Sequence, residues 1–237
     1  MMRRSKPQAY LLLGRVSNLP TVWTNALAGA TLTGVVLHVG PMVLMALALS
    51  CIYCGGMWMN DACDAIPDAA ARADRPIPSG DVTLREVWIG TGVLWALGLA
   101  LLWFSGARAT AWLWTSVLLA AIVDYNVRHK FDSLGPLAMG ICRGTLYLIA
   151  AAVVGTLSIV VGVGAIVLAF YVLSLTFVGK TLGPRAGHVM PWLIAGISLI
   201  DAVVIITMAP AREWLWVIAA AAGFIATLTT QRVVSGT

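Results

Sequence analysis

In the stretch Asn60-Asp61-Ala62-Cys63-Asp64-Ala65-Ile66-Pro67-Asp68, four oxygen-bearing side chains recur at a spacing a helix would bring to one side. Each helical residue advances its side chain by about 100°, so positions 60, 61, 64 and 68 share an arc of about that width. Three carboxylates so close repel one another and resist ionisation unless a divalent cation sits among them. An all-oxygen donor set suits Mg²⁺, which keeps several waters and readily shares its shell with phosphate oxygens. Asp61, Asp64 and Asp68 are therefore the expected Mg²⁺ ligands, with Asn60 beside them, and a diphosphate-bearing substrate is expected with the metal.

Pro67 complicates this face. It has no N–H to donate back to Cys63 and disfavours helix at Ile66, so the helix is expected to kink or end there and Asp68 to hang off its end. Beyond it, Arg72 and Arg75 lie within reach of a metal-bound anion, and Pro76 and Pro78 stiffen the backbone that carries them. Thr83 and Glu86 have the spacing of a capping box and are expected to start the next helix.

The elements that must position this cluster are membrane helices. Of the 237 residues, 60% are hydrophobic and only 11% charged, against about 25% charged in soluble domains. Apolar runs near the ~20 residues needed to cross the hydrocarbon core fall at roughly 16–38, 41–64, 83–104, 107–126, 134–154, 157–179, 189–209 and 213–231. The chain reads as an all-α integral membrane protein, one domain over 1–237 built from about eight spans, the first retained as a signal anchor. With the N-terminus inside, twelve of the fifteen Lys and Arg fall in inner segments, Arg108 and Arg212 fall outside, and Arg143 lies within a span. That bias satisfies the positive-inside rule and puts the carboxylate cluster on the cytoplasmic side of a multi-pass inner-membrane protein. The net charge of +5 then reflects topology, and no nucleic-acid partner is implied. The four cysteines fit buried reduced thiols better than a disulfide or zinc framework.

Isolated polar residues within the spans invite a functional reading. Arg143 needs an anionic partner or ligand. Asp201, in the middle of the seventh span, reads as structural. Tyr125, next to Asp124 at a helix end, suits cation–π contact with a substrate or interfacial anchoring equally well. Arg128 and Lys130 follow at the same helix end, where ordinary inner-loop charge competes with phosphate binding.

Asn60-Asp-x-x-Asp-x-x-x-Asp68 followed by Arg75-Pro-Ile-Pro-Ser-Gly80 resembles the first aspartate-rich motif of the UbiA superfamily of membrane prenyltransferases. Arg15-Val-Ser-Asn18-Leu-Pro-Thr-Val-Trp-Thr-Asn25 resembles that family's first helix. Tyr125 to Lys130, with Pro136, Met139-Gly140 and Arg143-Gly144, resembles its fourth loop and fifth helix. The resemblance spans about residues 10–180 and implies a helical bundle, usually of nine spans, around a central cavity, with Mg²⁺ and an isoprenyl diphosphate donor. It carries over Asp61, Asp64 and Asp68 as metal ligands with Asn60 beside them, Arg75 and Lys130 on the diphosphate, and Asn25 lining the cavity. With the reading of the residues themselves, the expected set is Asp61, Asp64 and Lys130 as catalytic residues, Arg72, Arg75, Lys130 and Arg143 as diphosphate-binding residues, and Asn18, Asn25, Asn60 and Tyr125 as cavity residues. The chain departs from the family in one stretch: where members carry a second aspartate-rich motif, Val178-Gly-Lys180-Thr-Leu-Gly-Pro-Arg185-Ala-Gly187 has no carboxylate, and Lys180 or Arg185 is expected to neutralise diphosphate charge instead.

The expected function is Mg²⁺-dependent transfer of an isoprenyl group from a polyprenyl diphosphate to an aromatic or similar small-molecule acceptor inside the bilayer. The alternative is a non-catalytic isoprenoid-lipid carrier that kept half of a metal site. A CDP-alcohol phosphotransferase is disfavoured because its Asp-Gly-x-x-Ala-Arg pattern is absent, and a channel because the carboxylates crowd one end.

Overall fold

A computed structural model of the chain describes residues 4–128, 134–210 and 214–234. Lys130 and Arg212 lie outside the described residues, and so do the roles expected of them. Ten α-helices account for most of the remainder: α1 (Lys6–Leu13), α2 (Leu19–Thr31), α3 (Val39–Cys63), α4 (Ala65–Ala71), α5 (Leu84–Phe104), α6 (Ala109–Arg128), α7 (Gly135–Val154), α8 (Ile159–Leu182), α9 (Met190–Met208) and α10 (Trp214–Gln231). Short 3₁₀ turns at Val16–Asn18 and Gly183–His188 join α1 to α2 and α8 to α9.

Among the described residues, seven helices are long and apolar enough to cross a membrane: α3 and α5 to α10. They match seven of the eight expected spans. The first expected span, 16–38, instead holds a 3₁₀ turn and α2, which ends at Thr31, with α1 as a separate helix before it. Arg15, with a left-handed backbone (φ 43°), turns the chain between α1 and the 3₁₀ turn. At 13 residues, α2 is only about 20 Å long.

Helices α2 and α7 form the partition of the bundle. One face of the pair, with Val22, Ala26, Ala30, Leu146, Ile149 and Ala150, packs against α3, α5 and α6. The opposite face, with Ala28, Leu32, Tyr147 and Ala151, packs against α8, α9 and α10. The two backbones nearly touch at Gly29, where a Cβ would stand 2.5 Å from the Tyr147 backbone. Small residues at a crossing permit this closeness, and in lipid, where burial against a neighbour gains little over burial in acyl chains, such packing supplies much of the association.

The C-terminal end of α3 lies at the same end of the bundle as the starts of α5, α7 and α9 and the ends of α6 and α8. Helix α1 lies across this end, burying Ala9 and Leu13 against Ala62, Val82 and Val87. Arg4 pairs with Asp81 at 3.3 Å and Lys6 pairs with Glu86, tying α1 to the segment before α5 and to its first turn. The expected capping box forms: Glu86 N–H donates to Thr83 Oγ1 at 3.2 Å, and Thr83 N–H donates to Glu86 Oε2 at 2.8 Å.

Candidate functional site

A cavity of about 810 Å³ opens at this end and runs into the bundle between α3, α6, α7, α8 and α9. Its inner walls are largely apolar, with Leu49, Ile52, Leu118, Leu146, Leu175 and Ile197 among them, and its mouth is charged.

The mouth is built on the last turns of α3. Asn60 and Asp61 are buried, and both line the cavity with Asp64. Asp61 Oδ1 meets two guanidiniums, Arg15 Nη2 and Arg75 Nη1, each at 3.3 Å. Arg15 Nη2 also donates to Asn60 Oδ1 at 3.3 Å. Arg75 Nη1 donates to Asp68 Oδ2 at 2.7 Å. Asn60 Nδ2 donates to Asn126 Oδ1 on α6 at 3.0 Å, which locks the α3 face against its neighbour.

Asp68 departs from the single-face expectation. Helix α3 ends at Cys63, with Asp64 as the joint to α4, so Asp68 belongs to a second, reoriented helix. It is buried, pairs with Arg75 and does not border the cavity. It therefore contacts Arg75 instead of sharing a wall with Asp61 and Asp64.

Arg72 and Arg75 border the mouth, as do Asn18, Asn60, Tyr125 and Lys180, whereas Arg185 is exposed and not on the lining. Arg128 pairs with Asp124 at 3.2 Å on an exposed helix end. Asn18 Oδ1 accepts from Gln231 Nε2 at 2.9 Å, which ties α10 to the 3₁₀ turn after α1. Asp81, buried in the loop that carries Arg75, accepts from the Ser79 hydroxyl at 2.9 Å and from Arg4. Those bonds, Ser79's first, hold its carboxyl below the usual carboxylate range.

Deeper in, Asn25 departs from its expected place. It is fully buried and stands behind the wall, not in it. Its Nδ2 donates to both oxygens of Asp201, at 3.0 and 2.8 Å, and its Oδ1 accepts from Arg143 Nη1 at 3.0 Å. Tyr147 Oη donates to Asp201 Oδ1 at 2.6 Å. Arg143 borders the cavity, its guanidinium 5.5 Å from the centre of the Tyr53 ring. Arg143 and Asp201, met separately in the sequence, are thus the two charged ends of one network.

Arg15, Asn126 and Tyr53, all on the lining, are among the residues with no role assigned from sequence. Asn126 had a signal in its position directly after Tyr125. Arg15 had one in opening the stretch to Asn25 that resembles the family's first helix. Tyr53 had none.

The donor set bears directly on Mg²⁺. Among the described residues, no three His, Cys, Asp or Glu side chains gather as a ready cage. Asp61 and Asp64 on one wall nevertheless suit this ion, which is ordinarily held by one or two carboxylates together with waters and substrate phosphates. The three arginines around them suit the phosphates.

A model of the UbiA prenyltransferase family matches residues 18–236. The digeranylgeranylglyceryl phosphate synthase of Methanoculleus marisnigri is 31% identical over 156 residues, covering 62% of this chain. The match spans about half of that relative, 52% of its length. Among solved structures, one of a digeranylgeranylglyceryl phosphate synthase superposes with a TM-score of 0.64 at 18% identity, covering 94% of this chain and 98% of the other. A UbiA homologue from Archaeoglobus fulgidus bound to DMAPP and Mg²⁺ superposes with a TM-score of 0.62 at 15% identity, covering 94% and 86%. At these identities the structures establish a shared fold.

Proposed function

The chain belongs to the UbiA prenyltransferase family, and on that premise we propose that it transfers an isoprenyl group from a diphosphate donor to an acceptor within the bilayer. The observation that carries this reading is one cavity with Asp61, Asp64, Arg15, Arg72 and Arg75 at its mouth and an apolar interior behind them.

Asp61 and Asp64 would hold Mg²⁺, and Arg15, Arg72, Arg75 and Lys180 have donors to offer the diphosphate oxygens. Bound magnesium supplies positive charge that stabilises the departing diphosphate. The protein's share is preorganised electrostatics: Arg75 is aimed by Asp68, and Asn60 is fixed by Asn126. As the allylic C–O bond breaks, its electron pair leaves with the diphosphate. The apolar walls keep water from the allylic carbon, so the acceptor's nucleophilic atom forms the new bond and gives up its proton, which the departing diphosphate can take. The basic residues clustered at this end support a cytoplasmic mouth. The match to a digeranylgeranylglyceryl phosphate synthase makes a prenylated glyceryl phosphate the first acceptor to assay, with aromatic acids second.

The acid-free turn at Gly183–His188 favours one competing reading, a carrier that binds the donor without breaking it. Release of diphosphate from labelled geranyl diphosphate by the purified protein, with an acceptor present, separates the two. Mg²⁺-dependent release that Asp64→Ala abolishes supports the transferase. Donor binding without release supports the carrier, and undiminished release in excess chelator contradicts the metal scheme.

A further inference from the structure

The buried network behind the cavity wall uses groups that the mouth chemistry leaves unexplained. Asp201 on α9 and Asn25 on α2 are both wholly buried, and neither borders the cavity. Asn25 spans the gap between charges: its amide nitrogen serves both Asp201 oxygens, while its amide oxygen takes one Arg143 donor. Tyr147 Oη, on the turn of α7 after Arg143, closes the carboxylate from another side.

The arrangement orients the guanidinium. Arginine has five N–H donors, and among the described residues only Nη1 is seen donating to a protein side chain. The guanidinium lies over the Tyr53 ring at the cavity's edge. Tyr53 precedes Asp61 on α3 by eight residues, about 12 Å along the axis. Arg143 is therefore a further cationic group, deeper in the cavity than the Asp61 end of α3, held by a counter-charge that an amide keeps at one remove. Had Asp201 paired with it directly, the carboxylate would have competed with any anion in the cavity for the guanidinium's donors. With Asn25 interposed, the countercharge offsets the cost of burial and leaves donors free for a ligand.

We propose that Asp201, acting through Asn25, is a positioning residue that holds Arg143 as an oxyanion receptor in the inner half of the cavity. The proposal rests on reading that cavity as a prenyl-diphosphate chamber. The oxyanion is the donor's diphosphate or an acidic group on the acceptor, and the two are distinguishable.

The test is calorimetric titration of the purified, detergent-solubilised protein with two probes, inorganic pyrophosphate plus Mg²⁺ and dodecyl phosphate. Arg143→Gln should weaken binding of at least one probe about tenfold or more, the affected probe naming the source. Asp201→Asn should weaken the same probe, and the double variant should lose no more than Arg143→Gln alone, because Asp201 acts only through the arginine. The double variant removes both charges together, so it reports on binding even if Asp201→Asn alone folds poorly. Unchanged affinity for both probes in Arg143→Gln, or losses that multiply in the double variant, would overturn the proposal. Failure of the wild-type protein to release diphosphate from geranyl diphosphate would count against the transferase reading while leaving these titrations interpretable.

Discussion

The mouth of the cavity and the network at its inner wall both pair arginine with aspartate, but they do so differently. At the mouth, Arg15 and Arg75 contact Asp61 directly and Arg75 contacts Asp68, with arginine side chains 21% and 15% exposed. At the inner wall Arg143 and Asp201 never touch; an amide stands between them, and Asp201 is wholly buried. Pairs near water can exchange partners, so mouth arginines can leave a carboxylate for an arriving phosphate without leaving a bare charge in hydrocarbon. Inner pairs cannot, because an uncompensated buried charge is costly. The mouth is thus built for exchange and the inner wall for permanence.

The largest break in this comparison comes from the mouth acids. Asp61→Ala or Asp64→Ala should reduce diphosphate release by about 10³-fold, the scale of losing a principal electrostatic stabiliser, and in Asp64→Ala the thermal unfolding midpoint should stay near that of the wild-type protein. Arg75→Lys comes next. A lysine lacks the planar guanidinium whose Nη1 serves both Asp61 and Asp68 while its other nitrogens remain for phosphate, so release should fall by about 10–100-fold without recovery at saturating Mg²⁺. A return to wild-type rates at high Mg²⁺ would show that Arg75 serves the metal rather than the phosphate.

The inner wall should respond in stability. Asp201→Ala leaves Arg143 and Asn25 uncompensated inside the bundle and should cost about 3 kcal/mol, read as a lowered unfolding midpoint in detergent. A variant as stable as the wild-type protein would mean that water or lipid reaches the inner wall. Gly29→Ala tests the partition itself. Its new methyl would meet the Tyr147 backbone, and the forced separation of α2 from α7 should cost about 1–3 kcal/mol and loosen the Tyr147–Asp201 bond.

The smallest effect belongs to the rim. Because Ser79 and Arg4 hold the Asp81 carboxyl below its ordinary value of 3.8, its contribution to stability is present above that pH. It is lost as acid protonates the folded carboxyl. The unfolding midpoint of the wild-type protein should fall more steeply than that of Asp81→Asn as the pH drops below about 4, the reference value for aspartate. Parallel curves would remove Asp81 from the rim's support of Arg75.

Much of this arrangement was legible in the sequence, for identifiable reasons. Span lengths follow from apolar runs, and α3 and α5 to α10 fall within a few residues of where those runs lie. The acidic motif and the proline loop are local, and Pro67 signals an interruption nearby, but the joint comes earlier than expected, at Asp64, and the chain is helical again through Ile66 and Asp68 in α4. The break at Arg15 could not be anticipated, since a left-handed arginine leaves little mark on hydropathy. The inner network was also out of reach. Asn25 and Asp201 are 176 residues apart, and periodicity on a helix buried all round does not say which face meets the cavity. Arg143 announced that it needed an anion; only the packing of α2 between α7 and α9 shows that Asn25 relays one.

The central claim, that Asp61 and Asp64 bind a diphosphate through Mg²⁺ at the mouth, is tested most directly by calorimetric titration of pyrophosphate with and without the metal. The comparison is between wild-type protein and the Asp61→Asn/Asp64→Asn double variant. The account predicts tight binding by the wild-type protein that requires Mg²⁺, and in the double variant only weak binding indifferent to it. Equal, metal-enhanced affinity in both proteins would contradict it.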